Sequence, residues 1–186
     1  MRKLIFQEWL SMDAFAADKN GSVTFIESTT LNKYSDLDQL RWMDTIDTIL
    51  LGANTYKLFV EFWPTATTDQ EVIADKLNSI PKIVFSKSLK KAPWGKFPDA
   101  AISTDAIATV KELKTKQGKD MVLWGSISVA QQLMKKNLID EYHLRIVPVV
   151  LGEGRRLFES TGAMDFELYF SRQYDSGLML LQYRRP

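Results

Sequence analysis

Three short segments combine residue types that suit the binding of phosphate groups. Leu50-Leu51-Gly52-Ala53-Asn54-Thr55-Tyr56 ends an apolar run in a glycine, then supplies two hydrogen-bonding side chains. The glycine lets a ligand approach the backbone. Ile83-Val84-Phe85-Ser86-Lys87-Ser88 closes a second apolar run with hydroxyls on either side of a cation, a set suited to a phosphate monoester. Val122-Leu123-Trp124-Gly125-Ser126-Ile127-Ser128 places a glycine just ahead of an expected helix. The first amides and positive end of such a helix favour a pyrophosphate. Each segment also has an ordinary reading, as a turn glycine, a solvated strand end or an unliganded helix start. None contains the GxGxxG pattern of classical dinucleotide folds.

Other chemistries find less support. The chain has no cysteine, which excludes a disulfide framework, a thiolate metal site and a cysteine nucleophile. The single histidine, His143, falls in an expected strand, as a solvent-facing or hydrogen-bonded residue. No GxSxG elbow is present for a serine triad, and a metal site would have to be built from carboxylates. Asp140-Glu141 reads as a solvated acidic turn, and Gly152-Glu153-Gly154-Arg155-Arg156 as an anion grip or a surface loop.

The elements that must position these segments follow from composition and periodicity. With 186 residues, 45% hydrophobic and 25% charged, the chain suits a single domain over 1–186 with an ordinary core. Lys plus Arg is 24 against 23 for Asp plus Glu, which gives no electrostatic case for nucleic acid or an anionic membrane. Glu8 and Asp13 interrupt the apolar N-terminal run, and no long apolar stretch spans a membrane. A cytoplasmic protein is expected. Residues 4–10 read as a strand, and Asn20-Gly21 as a turn. Leu37, Leu40, Met43 and Ile46 share one side of a helix over 36–47. Residues 48–51 form a strand, and Trp63-Pro64 biases the chain away from helix. Thr68 and Glu71 have capping-box spacing ahead of a helix, and 82–86 is a strand. Asp105 caps a helix that ends near Gly118, and 121–123 is again a strand. Ser128 and Gln131 repeat the capping-box spacing, with Ala130, Leu133, Met134 and Leu138 on the apolar side. Residues 142–151 form a long strand in which Pro148 marks an edge or bulge. Strands at 166–174 and 178–184 flank Asp175-Ser176-Gly177 as a hairpin. This alternation predicts a mixed sheet with helices on both faces.

Taken together, these segments resemble the dihydrofolate reductase superfamily, and within it the C-terminal reductase domain of bacterial riboflavin biosynthesis, the RibD type. Ser11-Met12-Asp13 is similar to the family's Ser-Leu-Asp-Gly. The stretch from Leu51-Gly52 to Tyr56 and Phe59 is similar to Leu-Gly-Arg-x-Thr-Tyr-x-x-Phe, with Phe62-Trp63-Pro64 following as its aromatic-Trp-Pro. Pro81-Lys82 to Leu89 resembles Pro-Lys-x-Val-x-Ser-x-Thr-Leu. Gly125-Ser126 through Asp140-Glu141, Pro148-Val149, Leu151-Gly152-Glu153-Gly154 and Leu157-Phe158 complete the match nearly end to end. Three positions depart: Ala53 stands in place of arginine, Ala14 in place of glycine, and Trp124 where a second glycine precedes Gly125 in dihydrofolate reductases.

The resemblance implies a three-layer α/β/α dihydrofolate reductase-like fold with a mixed, largely parallel central sheet and a C-terminal β-hairpin. It also implies NADPH as cofactor, with Gly52, Asn54 and Thr55 beside its phosphates and Ser86 and Lys87 facing the 2′-phosphate. Gly125, Ser126, Ile127 and Ser128 would cradle the pyrophosphate, and Ala16 and Ala17 would approach the nicotinamide. Asp13 and Tyr56 are the candidates for protonating or orienting substrate, and Phe59, Phe62 and Trp63 for stacking on it. The expected activity is hydride transfer to a small heterocyclic or sugar-like substrate. The best-known family substrate is the deaminated pyrimidine of riboflavin biosynthesis; a pterin or another small carbonyl or imine compound is the alternative. A non-catalytic nucleotide-binding protein of the same fold is the rival from another class. A homodimer is expected, with Ile146-Val147-Pro148-Val149-Val150 as its possible seam or as a core strand.

Overall fold

Apolar residues that occupy successive positions along a strand, rather than alternate ones, require cover on both faces of the sheet. Ile49, Leu50 and Leu51 form such a run, as do Leu4, Ile5 and Phe6, and Met121, Val122 and Leu123; all are buried. The computed structural model describes residues 2–26, 29–159 and 161–186, with backbone only for 29–34. Along the chain it contains β1 (Leu4–Ser11), β2 (Phe15–Ala17), α1 (Thr29–Trp42), β3 (Ile46–Gly52), α2 (Ala53–Phe62), α3 (Ala74–Ser79), β4 (Lys82–Phe85) and β5 (Ala101–Ser103). There follow α4 (Ala106–Thr115), β6 (Asp120–Trp124), α5 (Ile127–Met134), β7 (Glu141–Val147), β8 (Arg155–Arg156), β9 (Glu167–Gln173) and β10 (Met179–Arg184).

Eight strands form the central sheet in the order β5-β4-β3-β6-β1-β7-β10-β9. Those from β5 to β7 run parallel, and β10 pairs antiparallel with both β7 and β9. Strand alternation sorts the core into two layers. Leu4, Phe6, Leu50 and Leu123 pack against Val110 of α4 and Ala130 and Leu133 of α5. Ile5, Ile49, Leu51 and Val122 pack against Tyr56 of α2 and Leu77 of α3, with Trp94 beside them. The expected three-layer α/β/α arrangement, largely parallel sheet and C-terminal hairpin are therefore present. No described helix is long and apolar enough to cross a membrane.

Several local expectations are corrected. The helix read over 36–47 ends at Trp42; a 3-10 turn covers Met43–Thr45, and Ile46 opens β3. Met43 and Ile46 share a core layer, which produced helical spacing across a helix-to-strand join. The capping boxes do not form. At 67–71, Gln70 accepts a bond from the Thr67 amide at 3.1 Å, and α3 begins only at Ala74. At α5 the N-cap is Ser126, while Gln131 donates to the Leu157 carbonyl at 3.0 Å. Asp105 does cap α4, accepting from the Ala108 amide at 3.0 Å. That helix closes at Lys116 rather than Gly118. A Cβ on Gly118 would stand 2.6 Å from Asp47 Oδ2, so close approach accounts for that glycine.

Pro148 ends β7 and marks no edge, because β1 and β10 flank that strand. Residues 146–150 therefore offer no free strand edge for a dimer; the sheet edges are β5 and β9, and β9 has Leu168, Tyr169 and Phe170 exposed. Asp140-Glu141 is a structural joint, not a solvated turn. Asp140 accepts from the Leu4 amide at 2.7 Å and pairs with Lys114. Glu141 lies 3.4 Å from His143 Nε2 and accepts from Lys3 at 2.6 Å and the Tyr169 hydroxyl at 2.8 Å, and these partners, the histidine foremost, hold its carboxyl down at about 2. His143 is buried and hydrogen-bonded, 3.0 Å from the same tyrosine hydroxyl.

Asn78 ties the α2–α3 layer together: its carbonyl accepts from the buried Trp94 indole at 2.7 Å, and its amide donates to the Trp63 carbonyl at 2.7 Å. Asn78→Ala leaves the indole N–H without its acceptor, so a loss of about 2 to 3 kcal/mol is expected in urea unfolding. A loss below about 0.5 kcal/mol would mean that water replaces the amide there.

Candidate active site

The carboxyl ends of β1, β3, β4 and β6 open into one cleft of about 1280 Å³. That exceeds the roughly 300–1000 Å³ typical of a single drug-sized ligand. Open α/β sheets bind ligands at this edge because parallel strands leave their following loops there. The junctions singled out by sequence meet along one wall. Gly52, Asn54 and Thr55 begin α2, Ser86 and Lys87 follow β4, and Gly125, Ser126, Ile127 and Ser128 lead into α5. Ala16 and Ala17 of β2 line the same cleft, as do Phe59, Phe62 and Trp63.

One hydroxyl locks two of these junctions together. Ser126 Oγ accepts the Gly52 amide at 2.7 Å, donates to Thr55 Oγ1 at 2.9 Å and lies 3.1 Å from the Trp124 carbonyl. Gly125 and Ser126 both adopt positive φ, +53° and +68°. For serine that left-handed conformation costs roughly 1–2 kcal/mol. A Cβ on Gly52 would stand 3.1 Å from Ser126 Cβ, so only glycine fits without displacing the clamp. The result is a pair of helix N-termini facing one cleft, a fit for a diphosphate. Ser86 Oγ accepts the Ser88 and Leu89 amides at 3.3 and 3.1 Å. It shapes the turn that presents the exposed Lys87.

Asp13 and Tyr56 lie outside this cleft. The Asp13 carboxylate accepts from Ser11 Oγ at 2.6 Å and from the Leu151 and Gly152 amides at 3.1 and 2.7 Å. These donors, the serine foremost, hold it at about 2, so it stays ionised and ties the loop after β1 to the loop after β7. Ala14 beside it takes φ +66°, the conformation for which the family uses glycine. Tyr56 is buried and donates to the Pro93 carbonyl at 2.8 Å. The segment 152–156 does not grip an anion by itself; β8 pairs with β2, and a Cβ on Gly154 would fall 2.2 Å from the Ala17 carbonyl oxygen.

The cleft lining also carries polar groups that the sequence did not single out as ligand groups, Glu8, Asp36, Gln39, Glu71 and Arg145, together with Arg155 of the 152–156 segment. Burial pushes the Glu8 carboxyl up to about 8, against one bond from the Trp9 amide at 3.0 Å. Burial raises Asp36 to about 6, opposed by Arg145 and assisted by Glu71, which is itself raised by burial. Arg145 donates to Gln39 at 2.6 Å and lies over the Trp9 ring, and its Nε is buried with no partner among the described residues. An acid inside the run Leu4-Ile5-Phe6-Gln7-Glu8-Trp9-Leu10 was the available signal for Glu8. Asp36 and Arg145 meet only through the packing of α1 on the sheet.

The model of the RibD C-terminal domain family matches residues 2–180. Two Bacillus subtilis (strain 168) proteins, both uncharacterized, are similar over nearly their whole lengths. YyaP is 29% identical over 185 residues, covering 98% of this chain and 94% of YyaP. YwjB is 27% identical over 190 residues, with 96% of each covered. Among solved structures, a Shewanella sp. PV-4 protein named for riboflavin biosynthesis superposes with a TM-score of 0.77 at 21% identity, covering 99% of both chains. The diaminohydroxyphosphoribosylaminopyrimidine deaminase/5-amino-6-(5-phosphoribosylamino)uracil reductase of Thermotoga maritima gives 0.68 at 14% identity; this chain is covered fully and spans 57% of that one. At these identities the structures establish the shared fold.

Two outcomes are expected from the geometry. Ser126→Ala loses the clamp and keeps the unfavourable φ, so it should lower stability by about 1 to 3 kcal/mol, with Ser126→Gly about 1 kcal/mol less damaging. Urea unfolding of both variants checks the order. For Glu8, the folded chain titrates near 8 and the ordinary value is 4.5, so the folded state binds the extra proton between them. Wild-type stability should therefore fall as pH rises through that window. The melting temperature of Glu8→Gln relative to wild type should climb between pH 5 and 8.5; a constant difference would place the carboxyl in water.

Proposed function

The chain belongs to the RibD C-terminal domain family, and from that premise we propose that it is a reductase that transfers hydride from NADPH to a small heterocyclic substrate. The observation that carries this reading is the meeting of three strand-end junctions, two helix N-termini and one exposed lysine along a single wall of the cleft. When bound, NADPH supplies the hydride. The amides at the starts of α2 and α5 hold its diphosphate, and Gly52 and Gly125 let it come close to the backbone. Lys87 reads the 2′-phosphate, because Ala53 leaves no arginine on the neighbouring helix. Ala16 and Ala17 offer a small, flat surface to the nicotinamide. Phe62, exposed at the rim, and Trp63 flank the substrate, while Phe59 packs against Trp124 at 5.8 Å and supports that wall from below.

Two findings bear on the substrate. The cleft lining carries carboxyls and a buried guanidinium, which suit the donors and acceptors of a nitrogen heterocycle. The name of the Thermotoga maritima relative points to a pyrimidine bearing a phosphoribosylamino group, and a pterin or a similar cyclic imine presents the same edge chemistry. Asp13 acts at a distance in this reading, by fixing the loop that leads to β2. The proposal includes a homodimer, its contact shifted from residues 146–150 to the exposed side chains of β9.

Titration with NADPH and with NADH, followed through quenching of Trp124, tests the reading. Saturable binding with at least a tenfold preference for NADPH is expected, and Lys87→Ala should remove most of that preference while leaving NADH affinity within twofold. Absence of binding by either nucleotide at millimolar concentration would overturn it.

A further inference from the structure

Four cations are buried among the described residues, and three of them are satisfied. Arg2 pairs with Asp47 and donates to the Lys119 carbonyl at 2.7 Å. Lys114 pairs with Asp140. Lys82 donates to the Leu77, Asn78 and Ile80 carbonyls at 2.8, 3.1 and 2.6 Å. Arg145 is the most enclosed of the four, 2% exposed, and among the described residues no carboxylate lies within ion-pair distance of it. Of the five N–H donors of a guanidinium, one meets Gln39 Oε1 at 2.6 Å, a neutral oxygen that already accepts from Gln7 Nε2 at 2.9 Å. The Nε is buried with no partner among the described residues. Burial depresses the pKa of the guanidinium, and Tyr174, Asp36 and Asp38 offset this only in part. Asp38 is itself held by Arg172 and by the Tyr174 hydroxyl, each at 2.8 Å. A guanidinium enclosed without a counter-charge is costly to the fold.

Arg145 lies on β7 opposite Trp9 of β1, and alternation puts it with His143 on the face covered by α1. Together with Gln7, Trp9, Asp36 and Gln39 it lines the cleft. β7 is two strands from β6 and three from β3, about 10 and 14 Å at the usual strand spacing. The guanidinium therefore stands apart from the junctions assigned above to the cofactor's diphosphate. We propose that Arg145 binds a carboxylate carried on the substrate's ring and thereby selects heterocyclic acids for this cleft. This rests on the reductase reading above. A carboxylate matches the planar donor fork of arginine. It is also singly charged, whereas a phosphate dianion would be repelled more strongly by the neighbouring Asp36 and Asp38. Arg145 takes no part in bond making; it orients the ring and determines which rings are accepted. Water is the rival partner of the Nε, held in the smaller cavity of about 190 Å³ that Gln7, Gln39 and Arg145 also line. Such a water would favour no acid over its parent ring.

The test is calorimetric titration of NADP⁺-loaded protein, in which no hydride transfer intervenes. Two ring acids, orotate and pterin-6-carboxylate, are compared with uracil and pterin, which lack the carboxylate. At least one acid should bind about tenfold tighter than its parent ring. Arg145→Met should bring that acid and its parent ring within about twofold of each other. NADP⁺ affinity should stay within about twofold of wild type, which also shows that the variant is folded. Gln39 keeps Gln7 as a donor, so the substitution orphans no group and the urea midpoint should be no lower than in wild type. Equal binding of acids and parent rings by wild type means that water satisfies the guanidinium, and overturns the proposal. A preference that survives in Arg145→Met does the same. Should Arg145→Met fail to fold, Arg145→Lys decides: it keeps the charge without the fork, so a reduced preference supports the role and an undiminished one overturns it. A preference for uridine 5′-monophosphate over uridine, with none for the ring acids, overturns the carboxylate class. Failure of the wild type to bind NADP⁺ or NADPH overturns the reductase reading instead, and the same acid comparison on the free protein still decides whether Arg145 binds a carboxylate.

Discussion

The hydrogen bond from the Gly52 amide to Ser126 Oγ is the point on which the phosphate wall depends. β3 and β6 are neighbours in the sheet, so their following helices start close together. Two helix N-termini of like partial charge gain nothing from being adjacent without a ligand. The hydroxyl of Ser126, at the β6–α5 junction, ties the two together by accepting the Gly52 amide and donating to Thr55, both at the β3–α2 junction. Its position requires Ser126 to sit in the left-handed region and Gly125 to turn ahead of it. Gly52 must then lack a side chain, because the clamp fills the space a Cβ would take. A conformational cost at one residue thus preorganises amides from two helices, a trade commonly seen at ligand sites.

The polar side chains carried by β1 follow different physics. A parallel sheet buried on both faces selects apolar residues, and β1 accepts Gln7 and Glu8 in its middle nonetheless. Gln7 is satisfied by a reciprocal pair of amide bonds with Gln39 at 2.9 and 2.8 Å. Glu8 has no such pairing, and its neutral form is the cheaper one to bury. Asp13, three residues beyond the glutamate's neighbour Leu10, shows the reverse: serine and amide donors keep it charged, and it works as a strut between loops. Two carboxyls on one strand and its loop are thereby driven to opposite protonation states by their surroundings.

Much of this was legible in the chain. Runs such as 49–51 and 121–123 announce strands covered on both sides, and Gly52, Lys87 and Gly125 mark the strand ends that meet. Strand ends are legible because the glycine or polar residue after an apolar run is a local signal. The two capping boxes misled because Thr68 lies in the turn over 67–71, ahead of α3, and Ser128 is already inside α5; β2, β5 and β8 were too short to show a pattern. Glu8 was visible as an oddity inside an apolar strand, but its environment comes from α5, which starts 119 positions later along the sequence. Asp36 and Arg145 are brought together only by a helix crossing the sheet, a contact with no signature in either segment.

The placement of β1 has a consequence for how the chain is made. Its partners are Met121 to Trp124 on one side and Glu141 to Val147 on the other, so the central strand is translated first and paired last. At about 5–20 residues per second, synthesis of the intervening chain occupies roughly 7 to 28 seconds. During that interval β3 and β4 can already pair, while the apolar first strand emerges from the ribosome with no partner to cover it. The acid near its centre is ionised in water and favours its neutral form once enclosed.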